Sequence, residues 1–238
     1  MLIKDIHPQD EMYQFLASHP DHRNNPLNSY FSSGEGMMKK LSEVFLRTGT
    51  EPENVDNFLE FACGYGRFTR HLIMHIHPSK VTVSDVNKEA VDFQEKTFKV
   101  KGFYSEYYPA QLKMPEKYDV IFVASLFSHL PFKTWCPWLN KLYHSLSDKG
   151  LLIFSTHGPA CMGSLTELCG MINPAEGFYY LKASESKIHS TEDYGTTYVT
   201  PEFVKAAVLQ ETGVTVELEI PKYLWDYQDV YVVRKAHG

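Results

Sequence analysis

The chemistry of this chain is concentrated in Asn57–Arg67, which reads Asn-Phe-Leu-Glu-Phe-Ala-Cys-Gly-Tyr-Gly-Arg. A short apolar run reaches an acid, Glu60, and then a turn carrying Gly64 and Gly66. A helix-compatible stretch follows over 67–75. Glycine lets the backbone turn sharply and lets a ligand lie against the main chain with no side chain in the way. The helix start adds unpaired N–H groups. A second acid, Asp85, closes the run Val81-Thr82-Val83-Ser84, 19 residues after Gly66. At that place in a strand–turn–helix–strand layout, a carboxylate faces a ribose and accepts from both hydroxyls. Each acid also has a plain structural reading. Glu60 could cap the next helix, and Asp85 could be the N-cap before 87–99. Taken in order, strand, acid, turn, helix, strand, acid, they point to a nucleoside ligand.

Charge narrows the ligand. A dinucleotide turn has a third Gly or Ala for close helix packing and holds a pyrophosphate. Here the third position is Thr69, and Glu60 would repel a pyrophosphate. A carboxylate at that point suits an ammonium group instead. S-adenosylmethionine (SAM) carries both an ammonium and a ribose, so it is favoured over NAD. An NAD-dependent enzyme would bind NAD more tightly than SAM.

Glu60-Phe61-Ala62-Cys63-Gly64-Tyr65-Gly66 resembles the first motif of class I SAM-dependent methyltransferases, with Ala62 at the first glycine. Val83-Ser84-Asp85 resembles their second motif, Tyr118–Pro131 their fourth, and Leu146–Phe154 their turn and fifth strand. The resemblance covers roughly 55–156. It implies a doubly wound, mostly parallel seven-stranded α/β sheet with an antiparallel last strand. It also implies Glu60, Ala62, Cys63, Gly64, Gly66, Arg67, Asp85, Val86, Ser125 and Leu126 as cofactor-binding residues. Glu60 and the Gly64–Gly66 main chain would hold the methionine end, Asp85 the ribose and Val86 the adenine. Ser125 and Leu126 would sit under the sulfonium side. The family often has an acid after strand three for the adenine amino group; near that point this chain reads Ser105-Glu106-Tyr107-Tyr108-Pro109-Ala110-Gln111.

His129 follows the fourth strand candidate, at the open edge where such sheets bind ligands. It could be a base for a hydroxyl acceptor, a contact to the cofactor site, or structural. His157, after the fifth strand, is a second candidate base or a loop histidine. Tyr194, Trp225 and Tyr227, with Phe178-Tyr179-Tyr180, could wall an acceptor pocket or simply pack an insertion. His71, His75 and His77 lack an acid to complete a metal site, and no metal is expected. The fourth-strand segment reads Ala124-Ser125-Leu126-Phe127, without the Asn/Asp-Pro-Pro-aromatic run of exocyclic-amine nucleic-acid methyltransferases.

The elements that must position these residues alternate. Strands are expected at 57–61, 80–84, 102–104, 118–124 and 150–156, and helices at 67–75, 87–99 and 133–146. The continuously apolar runs at 81–83, 120–123 and 151–154 suit buried parallel strands. A helix from Pro201, ended by Gly213, precedes strands at 214–220 and 229–233 joined by a long aromatic loop. Residues 1–50 read as a helical extension, with helical spacing at 11–17 and 37–46, and Tyr30–Gly36 as a flexible stretch. Residues 51–238 read as the main domain, with a lid-like insertion at about 157–200.

The chain has 238 residues, 43% of them apolar, with a formal charge of −6. That charge argues against nucleic acid as a partner. No 18-residue apolar run appears and no secretory leader is expected. The cysteines, Cys63, Cys136, Cys161 and Cys169, form no Cys-x-x-Cys pair. They suggest a reduced, cytoplasmic protein. The expected activity is methyl transfer from SAM to a small-molecule or glycan-like acceptor, at a hydroxyl oxygen. The alternative is a non-catalytic module that binds SAM or S-adenosylhomocysteine (SAH). The oligomeric state is left open.

Overall fold

A computed structural model describes residues 1–162, 177–184, 186 and 188–236. The chain divides into two compact units, Met1–Ser105 and Glu106–Gly238.

The first unit opens with two helices, α1 (Glu11–Ser18) and α2 (Pro26–Thr48). Asp10 caps α1 by accepting from the Tyr13 N–H, and Asn25 caps α2 by accepting from Asn28 N–H. Pro26 sits at the first turn of α2, where its missing N–H costs nothing, and Gly49 ends the helix at φ 64°. Tyr30–Gly36, expected to be flexible, lies inside α2. Gly34 is the reason a helix fits there: a β-carbon at that position would come within 2.1 Å of the Arg67 carbonyl.

Three parallel strands follow, β1 (Phe58–Phe61), β2 (Val81–Asp85) and β3 (Lys101–Tyr104), in the order β3-β2-β1. Glu60 pairs in register with Val83, and Asp85 with Tyr104. Between β1 and β2 lies α3 (Thr69–Leu72), a single turn where the sequence suggested a helix over 67–75. Between β2 and β3 lies α4 (Lys88–Phe98), capped by the Asn87 side chain.

The second unit holds β4 (Tyr118–Val123), α5 (Phe132–His144), β5 (Leu146–His157), α6 (Pro159–Met162), β6 (Phe178–Leu181), β7 (Thr196–Val199), α7 (Pro201–Thr212), β8 (Leu218–Leu224) and β9 (Gln228–Arg234). β5 pairs parallel with β4 and antiparallel with β9, which in turn pairs antiparallel with β8. The expected strands are present, except that the one expected at 214–220 is displaced to Leu218–Leu224. The β6–β7 hairpin adds to them, inside the segment read as a lid, and β7 joins β5 in parallel. Residues 163–176 of that segment lie outside the described residues, as does Cys169. Pro201 starts α7 and Gly213 ends it at φ 74°, as the sequence suggested, and the Thr200 side chain caps it by accepting from Phe203 N–H.

Trp135 of α5 anchors this unit's core. It is fully buried, donates from Nε1 to the Phe127 carbonyl at 3.0 Å, and packs edge-on against Phe127, Phe154, Phe178 and Phe203. Phe178, half-buried, packs on the edge of this core. The aromatic loop expected before β9 is a tight turn: Tyr227 N–H donates to Leu224 O, with Trp225 and Asp226 at φ 52° and 61°. Both central residues are left-handed, the geometry that matches strand twist. The turn was missed because neither residue is Gly or Asn, the usual marks of that conformation.

Candidate active site

In the first unit, β1 carries Glu60 to the end of the strand, where it is buried. The Thr69 hydroxyl donates to its Oε2 at 2.5 Å. Burial pushes the Glu60 carboxyl up to about 8, against a smaller opposing pull from the Thr69 hydroxyl and from Arg67. An acid held near neutrality by desolvation is poised to ionise when a cation arrives.

The glycine turn has two differently used glycines. Gly64, at φ 52°, meets no atom within 4 Å in its β-carbon direction. Gly66, at φ 80°, would drive a β-carbon to 2.3 Å from the Phe98 ring. Gly64 thus leaves the open side of the turn bare, and Gly66 allows α4 to pack. Ala62, where the family motif has glycine, sits at φ 59°. A β-carbon there costs about 1 kcal/mol or more. Ala62→Gly is expected to stabilise the protein by about 1 kcal/mol, a rise of roughly 2–4 °C in a thermal melt. An unchanged or lower Tm would remove strain from the account of this turn.

Asp85 bridges the turn and the next helix. Its Oδ2 accepts from Gly64 N–H at 2.8 Å and its Oδ1 from Asn87 N–H at 2.9 Å. The α4 N-cap is Asn87, so Asp85 is not the helix cap. A carboxylate offers about four lone-pair sites, so holding the turn is compatible with accepting ligand hydroxyls. Val86 is half-buried beside it. Cys63 is buried with its thiol raised by burial and by the Asp85 and Glu60 charges. Arg67 donates to the Ser33 hydroxyl at 3.2 Å.

Two supports of the turn escaped the sequence reading. Gln94 donates its amide to the Gly64 carbonyl at 2.8 Å. Arg70 is fully buried and donates to the Gly66, Tyr65, Ile3 and Asp5 carbonyls. Its guanidinium also lies over the Tyr30, Phe31 and Phe98 rings at 5.1–5.5 Å. The N-terminal extension is thereby tied to the glycine turn. The burial of Arg70 had no signal in the sequence; an arginine in a short helix normally reads as exposed.

In the second unit, Ser125 follows β4 at φ 62°. Its N–H donates to Ser155 Oγ at 2.9 Å, and its hydroxyl lies against the Gln228 amide at 3.1–3.3 Å. Ser155 donates to Gln228 Oε1 at 2.7 Å. Gln228, which the sequence reading passed over, thus fixes the loop containing Ser125 and Leu126. The Leu126 carbonyl accepts from His129 N–H.

His129 is buried, and its Nδ1 lies 2.7 Å from the Gly195 carbonyl. A carbonyl only accepts, so Nδ1 carries the proton, and a neutral ring then has its lone pair on Nε2. Tyr194 stacks on this ring at 4.4 Å and 12°. His157 lies 6.0 Å away, with its Nε2 3.3 Å from the Gln228 amide nitrogen. Burial, and then the neighbouring His129, push it down to about 4. So weak a base is a poor proton acceptor at neutral pH. Tyr227 and Tyr198 flank His157 at 6.0 and 5.2 Å, and Trp225 stacks on Tyr227 at 6.1 Å. The second unit therefore gathers the predicted histidines and the predicted aromatic residues. His71 is buried in α3, and His77 caps a short turn through Ser79. Among the described residues, no three His, Cys, Asp or Glu side chains form a metal-holding group. None of the described helices is long and apolar enough to cross a membrane.

Residues 59–152 match the family described as "Methyltransferase domain". A malonyl-[acyl-carrier protein] O-methyltransferase from Calditerrivibrio nitroreducens is 28% identical over 103 residues, 43% of this chain. The match spans 39% of that relative's length. A SAM-dependent methyltransferase structure from Clostridium acetobutylicum superposes with a TM-score of 0.61 at 14% identity, covering 86% of this chain and 92% of that one. A magnesium protoporphyrin IX methyltransferase from Synechocystis PCC 6803, solved with bound SAH, gives 0.60 at 14% identity, covering 95% and 94%.

Proposed function

We propose that this chain, which has the class I SAM-dependent methyltransferase fold and a methyltransferase domain over residues 59–152, transfers a methyl group from SAM to a hydroxyl oxygen of a small-molecule or glycan-like acceptor. The observation that carries the cofactor assignment is the pair of acids around an open glycine. Glu60, Gly64 and Asp85 fit SAM: a buried acid for the ammonium, a bare turn for the backbone approach, and a held carboxylate for the ribose. Ala62, Cys63, Gly66 and Arg67 complete the turn, with Val86 against the adenine. Ser125 and Leu126 join the assignment through the family resemblance.

Bound there, SAM supplies a methyl group already activated on a sulfonium. The protein aligns the acceptor, keeps water out and takes a proton. His129 supports a hydroxyl acceptor because Gly195 leaves its lone pair on Nε2. A carboxylate acceptor would need no base, so turnover independent of His129 would point to that class instead. Tyr194, Trp225 and Tyr227 are the proposed acceptor wall.

Calorimetric titration with SAH tests the cofactor site. Asp85→Ala is expected to weaken binding by about 1–3 kcal/mol, roughly 5–150-fold, as a hydrogen bond to a charged group is lost. Undiminished affinity would take Asp85 out of the site. An acceptor screen on the wild-type chain then separates an enzyme from a module that only binds SAM: binding with no turnover on any acceptor favours the module.

A further inference from the structure

We infer that Asp193-Tyr194-Gly195 is a strap that positions His129, with Tyr194 and Asp193 as positioning residues. The inference rests on the reading of His129 as the base. Gly195 and His129 are joined reciprocally: Gly195 N–H donates to the His129 carbonyl at 2.9 Å, and His129 Nδ1–H donates back to the Gly195 carbonyl at 2.7 Å. Two more bonds seat the strap on the same loop, from Thr197 N–H to Ser128 O and from the Thr197 hydroxyl to Leu130 O. Only glycine fits at 195, because a β-carbon would come within 2.3 Å of the Leu181 carbonyl and 2.6 Å of the Tyr180 ring.

These bonds fix one edge of the imidazole. The Tyr194 ring, stacked at 4.4 Å, fixes its face. Upstream, Asp193 ties the strap to a second element. Its Oδ1 accepts from Lys133 Nζ at 2.8 Å and from the Tyr108 hydroxyl at 2.9 Å, and Lys133 lies over the Tyr108 ring. His189 adds a bond to the Tyr107 hydroxyl at 3.0 Å and packs against Tyr194. The Asp193–Lys133 pair is partly exposed, so it is screened by salt and weak on its own. It acts as a latch on the segment that carries Tyr194.

The consequence is a set tautomer. Imidazole protonated on Nδ1 presents Nε2 as acceptor, and the strap holds that form against the alternative. Loosening the strap frees the ring to exchange tautomers and to turn.

The test is long-range nitrogen NMR of His129 in the full chain, together with steady-state kinetics. Wild type is expected to show the Nδ1–H form. Tyr194→Ala is expected to give a mixture of tautomers and to lower kcat roughly tenfold at unchanged SAH affinity, as a misplaced catalytic group does. Tyr194→Phe, which keeps the stack, is expected to retain the tautomer. Asp193→Ala, a surface change that leaves the core intact, is expected to move both readouts in the same direction by less. A His129 tautomer unaltered in Tyr194→Ala and Asp193→Ala overturns the inference. A tautomer that shifts while kcat stays constant supports the strap and removes His129 as the base.

Discussion

His129→Ala is expected to lower kcat by about two to four orders of magnitude, the contribution of a placed general base, while SAH affinity stays near wild type. The expectation follows from three observations. The ring is buried in the loop between β4 and α5; its Nδ1 proton is fixed by a carbonyl; and its companion His157 is pushed down to about 4, too weak to substitute near pH 7. His157→Ala should therefore cost far less than His129→Ala. Stopped-flow or endpoint methyl transfer with a turned-over acceptor, alongside SAH titration, checks both. If kcat and affinity fell together, His129 would be a cofactor contact; if neither fell, the acceptor would need no base.

The second large effect is a pH dependence of cofactor affinity. Burial raises the Glu60 carboxyl from 4.5 to about 8 in the ligand-free protein. A carboxyl whose folded pKa is raised favours folding below the unfolded value. That contribution declines as pH climbs from 4.5 and is gone above about 8. An ammonium beside Glu60 reverses the preference and favours the carboxylate, so binding below pH 8 expels a proton. Affinity for SAH is then expected to climb with pH, by up to about tenfold per unit between pH 6 and 7.5. Above about 8 the ligand's own amine begins to titrate. Titration in buffers of different ionisation enthalpy would count the proton released. Glu60→Gln should flatten the slope and release none. A flat wild-type profile would separate Glu60 from the ammonium.

Much of the site-bearing framework was legible in the sequence because it depends on local rules. Parallel strands buried on both faces are continuously apolar, and they stand at 81–85, 118–123 and within 146–157 close to where those runs predicted. The bounds of α7, Pro201 and Gly213, are likewise local signals. Glu60, Gly64 and Asp85 stand out as candidates because acid, glycine and spacing are features of sequence. What was not legible depends on contacts between distant residues. Gly34 carries a helix through a stretch that reads as loop because of the Arg67 carbonyl packed on it. Arg70 is buried by four carbonyls and three rings contributed from four stretches of chain, and no window of sequence encodes that. Gln228 is one polar residue at a strand start, 103 positions from Ser125, which it touches. Tyr194 was read as a wall for the acceptor; the structure also places it on the face of His129, a relation set by tertiary folding alone.

The most direct measurement is a crystal structure of the chain with SAH. The account predicts density along the glycine turn, with the amino group about 3 Å from a Glu60 oxygen and the ribose hydroxyls at similar range from Asp85. SAH seated away from Glu60 and Asp85, or absent after soaking at saturating concentration, would contradict it.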